Sequence, residues 1–284
     1  MNKLYITDLD GTLLGPEAKL SEYSRRELIS LLEAGCDITV ASARSITSIK
    51  KILGEIPFRD PIIEINGSFI TDYSSEKHFY IEPIESDICI GLRRIIDSHR
   101  AMPFVFCNID GRDHLFYEGL VNDGMRWFLD DKTENHTVKS RQESIDDSLF
   151  KSPTVGFVTI GPEAQITLVR DEVLAAYGET VDCYFFANPY CPEWHWLTIH
   201  SRLARKSNAI IKTAELLGRD LTEIVVFGDN HNDLQMMKLN RRGAFSVCVA
   251  NAIPEIRAVA SRVCASNIDD GVVKYIAKDF KLNK

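Results

Sequence analysis

The chain is 284 residues long, 45% apolar and 26% charged, with 33 Lys and Arg against 41 Asp and Glu for a formal net charge of −8. That apolar content excludes a disordered chain, and no stretch approaches the roughly 18 consecutive apolar residues of a membrane span. The acidic balance argues against a nucleic-acid-binding surface, which needs a basic patch, but leaves small anionic substrates open because one local Lys or Arg can serve them.

At about 100–200 residues per domain, the length predicts one large or two ordinary domains with a core that needs no staples. The seven cysteines (36, 89, 107, 183, 191, 248, 264) are odd in number, widely spaced and form no C-x-x-C, so buried reduced thiols are expected rather than a metal cluster or disulfide framework. Met1-Asn2-Lys3-Leu4 runs straight into an apolar strand without a signal-peptide pattern. A reducing cytoplasm is the expected location.

In chain order, Leu4-Tyr5-Ile6 reads as a buried strand ending at Thr7-Asp8, followed by a turn region with Gly11, Gly15 and Pro16. Residues 21–34 read as a helix with Leu28, Leu31 and Leu32 on one face and Gly35 as its stop. A strand at 37–41, a helix near 45–53 and a strand at 61–65 ending in Asn66-Gly67 follow. This alternation predicts an α/β fold, a Rossmann-like parallel sheet covered by helices. The middle of the chain changes character. It reads as helix 85–99, a hairpin of 104–109 and 113–117 around Asp110-Gly111-Arg112, helix 122–130, and a polar loop 131–149. Strand 154–160, helix 163–177, and paired strands 181–187 and 193–199 follow. Paired strands beside helices suggest an α+β unit inserted into the first domain, spanning 83–199 and leaving 1–82 and 200–284 as the core. The first rhythm then returns as helix 206–217, strand 223–227, helix 232–239, strand 245–249, and helices near 254–260 and 270–279.

The most informative segment is Asp8-Leu9-Asp10-Gly11-Thr12. It follows an apolar strand directly, which puts both carboxylates at the carboxyl edge of a parallel sheet, where open α/β folds bind ligands. Gly11 permits a sharp turn that the Thr12 hydroxyl can hold. A second acidic group, Asp229 and Asp233 in Gly228-Asp229-Asn230-His231-Asn232-Asp233, leaves another apolar strand in the same way. One Asp at a strand end is ordinarily a helix cap. Two acidic clusters on two strand ends instead suit a hard cation such as Mg²⁺ with oxygen ligands.

Asp8-Leu9-Asp10-Gly11-Thr12 resembles the first motif of the haloacid dehalogenase-like (HAD) phosphatases. Ser42, after Ile38-Thr39-Val40-Ala41, fits the second motif; Lys206 in Arg205-Lys206-Ser207 fits the third; Gly228-Asp229 through Asp233 fits the fourth. All four occur in order at strand ends or helix starts. Asn66-Gly67, Asn251-Ala252 and Asp270-Gly271-Val272 further resemble the Cof-type branch, whose cap lies between the second and third motifs.

The resemblance implies a Mg²⁺-dependent phosphatase acting on a small phosphorylated metabolite, sugar phosphates first, as a monomer or small homo-oligomer. In it Asp8 is the nucleophile, Asp10 the general acid and base, and Lys206 the cation that steadies Asp8. The implied phosphate and substrate contacts are Gly11, Thr12, Ser42, Ala43, Arg44, Asn66, Gly67 and Asn232. The implied metal ligands are Asp8, Asp10 (through its main-chain carbonyl), Asp229 and Asp233. Two departures stand out: Ser42-Ala43-Arg44 replaces the usual Thr-Gly-Arg, and His231 sits where the branch often carries Glu, which reads as an exposed turn residue. In the inserted unit, alternation puts Trp194 and Trp196 on one strand face, packed on helices. It puts Glu193 and His195 on the other, a solvated face from which they could reach substrate. Three rivals share parts of this pattern. One is a phosphotransferase or mutase using the same intermediate; another is a receiver-like module that accumulates phospho-Asp; the third is a silent phosphate-binding protein.

Overall fold

A computed structural model describes residues 3–131, 138–188 and 191–282. Contacts divide the chain into two compact units, one of Met1–Tyr80 with Arg205–Lys284 and one of Ile81–Ala204. The expected borders, near 83 and 200, lie a few residues inside these.

The first unit is built on five parallel strands in the order Arg262–Val263, Phe245–Cys248, Ile224–Gly228, Leu4–Thr7, Asp37–Val40. Leu4–Thr7 and Ile224–Gly228 are buried at every position, as strands covered by helices on both faces must be. From Leu4–Thr7 the chain steps one way to Asp37–Val40, while the strands of the C-terminal half stack on the other side. The strand order therefore reverses at the carboxyl end of Leu4–Thr7, the place where open α/β sheets form a crevice. Helix Glu22–Glu33 begins at Ser21, whose hydroxyl accepts the Ser24 amide at 2.9 Å, and buries Leu28, Leu31 and Leu32. Helix Lys206–Leu217 stops at Gly218, whose φ of 63° a residue without a Cβ adopts freely.

Three elements of this unit depart from the sequence reading. Ile62–Glu64 pairs antiparallel with Phe69–Thr71 in a second, three-stranded sheet completed by His78–Ile81; it is joined to the parallel sheet by a bridge from Ala41 to Ile63 and packs Ile62 and Ile63 into the same core. Strands of three and four residues are too short to show a period, so 69–71 and 78–81 gave no signal. The expected helix 232–239 is a relay of short turns, His231–Asp233, Leu234–Met237 and Lys238–Arg242, because the Asp233 carboxylate turns back to accept the Asp229 and Asn230 amides. The two-residue strand Arg262–Val263 extends the sheet edge.

The second unit is a six-stranded sheet in the order Val181–Asn188, Cys191–Ser201, Thr154–Gly161, Pro103–Ile109, Arg112–Tyr117, Val138–Arg141. Helices Ser86–Ser98 and Glu163–Tyr177 cover one face through Leu92, Ile96, Ile166, Val169 and Val173 against Leu197 and Ile199. Helix Asp123–Asp131 packs Met125 and Phe128 on the other face, where Trp194 and Trp196 join them, with Trp196 5.1 Å from Phe128. The tryptophans thus pack on a helix, as alternation implies. Glu193 is exposed, as expected, but His195 is largely covered: its side chain is 15% exposed, its Nε2 lies 3.9 Å from Glu163 of helix Glu163–Tyr177, and its ring stacks on Phe185 at 5.3 Å. The segment 131–149 is more than a loop. Val138–Arg141 pairs parallel with Arg112–Tyr117, and Asp147–Lys151 forms a 3₁₀ turn. An edge strand of sequence Val-Lys-Ser-Arg buries no alternating face, so nothing in its pattern marks it; residues 132–137 lie outside the described residues. Among the described residues no helix is long and apolar enough to cross a membrane.

Candidate active site

Asp8 follows the last residue of strand Leu4–Thr7, and its amide donates to the Phe227 carbonyl of the neighbouring strand at 3.0 Å. This extra rung turns the side chain into the crevice, where it is 4% exposed. Lys206, the first residue of its helix, reaches the same place and is 1% exposed. Its Nζ donates to Asp8 Oδ1 at 2.5 Å and to Asp233 Oδ1 at 2.7 Å. Asp233 Oδ2 accepts the Asp229 amide at 3.0 Å. The Thr12 hydroxyl donates to Asp229 Oδ1 at 2.7 Å. Asp8, Asp229 and Asp233 each bring a carboxylate oxygen within 4.8 Å of the others.

Three carboxylates and one ammonium leave an uncompensated negative charge in a buried place. Burial pushes the Asp8 carboxyl up to about 7; Lys206 pulls it back and Asp233 adds to the rise. Burial likewise raises Asp229, against the Thr12 hydrogen bond. Burial works to lower Lys206, yet Asp8 and Asp233 outweigh it and hold the ammonium above its ordinary value. An oxygen-only donor set with surplus charge fits a hard divalent cation.

The backbone is shaped to allow this crowding. Gly11 has φ +78°, and a Cβ there would collide with the Asp229 carboxylate. A Cβ on Gly228 would lie 2.7 Å from that of Asp233. Gly67, at φ +106°, lets the 65–67 turn lie against the Arg205 carbonyl at the head of the lysine helix; a Cβ would come within 2.7 Å of that oxygen.

Ser42 is buried, and its Oγ accepts the Arg44 amide at 3.1 Å, which leaves its own hydrogen for a ligand. The loop carrying it is tied to the next strand by Ser42 N–H to Ile63 O at 2.9 Å and Asn66 N–H to Ser42 O at 2.9 Å. Asn66 adopts φ 55°, and its Oδ1 is buried without a hydrogen-bond partner. Ala43 is adjacent. Asp10 stands apart from the carboxylate trio: its side chain is in a two-pronged pair with Arg44, Nε to Oδ2 and Nη2 to Oδ1, both 2.7 Å. Asn232 and His231 are exposed.

The sequence reading missed the Arg44–Asp10 pairing and the brace from the C-terminal side. Asn251 Nδ2 donates to the Gly11 carbonyl at 2.7 Å, and its Oδ1 accepts the Asn267 amide at 3.0 Å. Asn267 Nδ2 in turn donates to the Leu14 carbonyl at 2.8 Å. No spacing rule links positions 11 and 251, so this brace is visible only in three dimensions.

Residues 5–276 match the model of a family described as haloacid dehalogenase-like hydrolase. The chain belongs to that family. As a HAD-like hydrolase it is similar to the Bacillus subtilis 5-amino-6-(5-phospho-D-ribitylamino)uracil phosphatase YitU, 23% identical over 280 residues covering 98% of each chain. It is also similar to the Escherichia coli pyridoxal phosphate phosphatase YbhA, 24% identical over 280 residues and 95% of each chain. Among solved structures, TM0651 of Thermotoga maritima aligns with a TM-score of 0.76 at 23% identity, over 98% of this chain and 97% of that one. The HAD subclass IIB sugar phosphatase BT4131 aligns with a TM-score of 0.66 at 19% identity, over 98% and 99%. At such identities the structures speak for the fold alone. The chain is thus an enzyme of the Cof-type HAD-like hydrolases, among relatives named phosphatases.

Proposed function

We propose that the chain is a Mg²⁺-dependent phosphatase that hydrolyses a small phosphorylated metabolite, a sugar phosphate first among them, through an aspartyl-phosphate on Asp8. The observation that carries this reading is the buried Asp8 carboxylate at the strand-order reversal, gripped by Lys206 and within 4.8 Å of two further carboxylates. Asp8, Asp229 and Asp233 would hold the cation together with the Asp10 main-chain carbonyl, and the cation would neutralise charge on the phosphoryl oxygens.

Lys206 fixes one Asp8 oxygen and leaves the other to attack phosphorus as the bond to the leaving oxygen breaks. Asp10 gives a proton to that leaving oxygen and then takes one from the water that cleaves the acyl phosphate. Arg44 holds the Asp10 carboxylate through both of its oxygens, and it must release one of them for Asp10 to carry the proton it delivers. Ser42 offers its hydroxyl hydrogen, and the amides of the turn after Asp10 add fixed dipoles. The relatives named for a ribitylaminouracil phosphate and for pyridoxal phosphate support a small phosphorylated metabolite. In this reading the 81–204 unit is the substrate-specificity domain.

A phosphate-release screen over a metabolite panel with Mg²⁺ tests the proposal. Turnover is expected without an added acceptor, which separates hydrolysis from phosphotransfer, and is expected to vanish on chelation and in Asp8→Asn. A folded, Mg²⁺-supplied wild type that releases phosphate from nothing refutes the activity. Full activity in Asp8→Asn refutes the nucleophile.

A further inference from the structure

Behind the loop that carries Ser42 and Arg44 lies a buried polar chain that the chemistry above does not use. Glu64 ends the otherwise apolar strand Ile62–Glu64 and is 2% exposed. Its Oε2 accepts the amide of Ile46, the first residue of helix Ile46–Leu53. Its Oε1 accepts the Thr71 hydroxyl at 2.6 Å, and the Thr71 oxygen lies 2.8 Å from His78 Nδ1. The His78 ring stacks on Phe69 at 4.3 Å. Thr71 has one hydrogen and gives it to Glu64, so toward His78 it can only accept, and Nδ1 carries a proton.

A carboxylate is a costly choice in a core strand, so its partners must repay it. Ser45, at the head of the helix, makes no side-chain cap, and the Ile46 amide would be a buried donor without an acceptor. Glu64 supplies that acceptor from another element. The same loop is tied to the residues on either side of Glu64, by Ser42 N–H to Ile63 O at 2.9 Å and by Ile65 N–H to Arg44 O at 3.1 Å. The Glu64 side chain adds a side-chain tie to these backbone ones, and it fixes the helix end at which the loop closes.

We propose that Glu64, oriented from behind by Thr71 and His78, is a positioning residue for phosphate binding: it anchors the Ile46 amide so that the Ser42–Arg44 loop keeps its place. The inference rests on the phosphatase reading. Inorganic phosphate, titrated calorimetrically into the Mg²⁺-supplied full chain, is the probe. Glu64→Leu removes the acceptor and is expected to weaken phosphate about tenfold, since small displacements of a positioned group are costly. Glu64→Gln keeps a carbonyl for Ile46 and is expected to stay within about threefold of wild type by the same reasoning. In Glu64→Gln the amide nitrogen faces Thr71, whose hydrogen then turns to His78, so ¹⁵N NMR should show Nδ1 protonated in wild type and bare in the variant.

Wild-type phosphate affinity in folded Glu64→Leu overturns the inference; so does a loss in Glu64→Gln equal to that in Glu64→Leu, or a wild-type Nδ1 without a proton. Should Glu64→Leu fail to fold, Thr71→Val decides: severalfold weaker phosphate is expected, and unchanged affinity overturns the inference. A folded wild type that neither binds phosphate nor releases it from any ester sinks the phosphatase reading, and the inference falls with it. Wild-type activity with an indifferent Glu64 sinks the inference alone.

Discussion

Replacing Lys206 by Met keeps most of the volume of a fully buried side chain and removes only its charge and hydrogen bonds. The ammonium donates at 2.5 Å to Asp8 and at 2.7 Å to Asp233. Removing one partner of a buried ion pair leaves the other charge uncompensated and costs about 3–5 kcal/mol. Here two carboxylates lose the same cation, so the upper end is expected in EDTA at pH 8. At lower pH the loss should shrink, because the carboxylates can take up protons and lose their charge. Mg²⁺ should restore much of it, since a divalent ion supplies the missing positive charge. Urea unfolding followed by far-UV circular dichroism, at pH 6 and 8 with EDTA or Mg²⁺, reads all three effects. Equal stability of wild type and variant in EDTA at pH 8 would refute the view that Lys206 makes the buried carboxylates tolerable. A variant that Mg²⁺ does not rescue would refute the cation site. Turnover should be lost in every condition, because Asp8 loses the group that orients it.

Other consequences can be measured independently. In the metal-free protein burial holds the Asp8 carboxyl near 7, well above its unfolded value of 3.8, so the native state binds the extra proton between these values. Stability from this group therefore falls as pH rises across that window, and Mg²⁺ binding should release a proton at pH 6, bind more tightly toward pH 7.5, and release less at pH 8, measured by calorimetry in buffers of different ionisation heat. Gly67→Ala puts a Cβ 2.7 Å from the Arg205 carbonyl at a φ of +106°, and should cost about 2–4 kcal/mol and lower turnover by shifting the lysine helix. An unchanged urea midpoint would show that the turn is not packed on that helix. In the inserted unit Glu118 accepts the Ile145 amide at 2.6 Å and Arg93 at 2.7 Å. Burial works to raise its carboxyl, but those bonds outweigh it and hold it below the usual range. Its contribution is complete above the unfolded value and lost as pH falls through the lower folded one. Glu118→Gln should therefore cost about 1.5–3 kcal/mol near neutrality and less in acid, read from tryptophan fluorescence. The three tryptophans, Trp127, Trp194 and Trp196, all lie in that unit.

The parts legible in the sequence were those whose signal is local. Strand Leu4–Thr7, helix Lys206–Leu217 and helix Glu163–Tyr177 announce themselves through buried apolar runs or a helical period bounded by glycine. Asp8, Asp229 and Lys206 follow because each sits at the end of such an element, and a strand end in a parallel sheet has a known direction. What stayed hidden depends on partners far along the chain. Arg44 was readable as a phosphate contact but not as the residue that grips Asp10, 34 positions away. Strand Val138–Arg141 exists through ladder bonds to Arg112–Tyr117, with no apolar face to betray it. Glu64 did leave a trace, a lone carboxylate in Ile-Ile-Glu-Ile, but a buried acid names no partner until the fold brings Ile46 and Thr71 to it.

The glycines next to the acids connect sequence to chemistry. Gly11 and Gly228 follow or precede the metal-binding candidates, and at both positions a Cβ would occupy space filled by Asp229 or Asp233. Their missing side chains let three carboxylates converge within 4.8 Å instead of spreading into solvent. Convergence at that range is electrostatically unfavourable by itself, and among the described residues Lys206 is the one buried ammonium set against it, so the remainder is left to a proton or a cation. That shortage has a chemical use. A phosphoryl group arriving with more negative charge would be repelled by the trio alone, whereas a cation drawn in by the same trio reverses the sign of the field it meets. On the phosphatase proposal, the acidic residues that make the bare site costly would then be what lets a phosphate ester approach the Asp8 carboxylate.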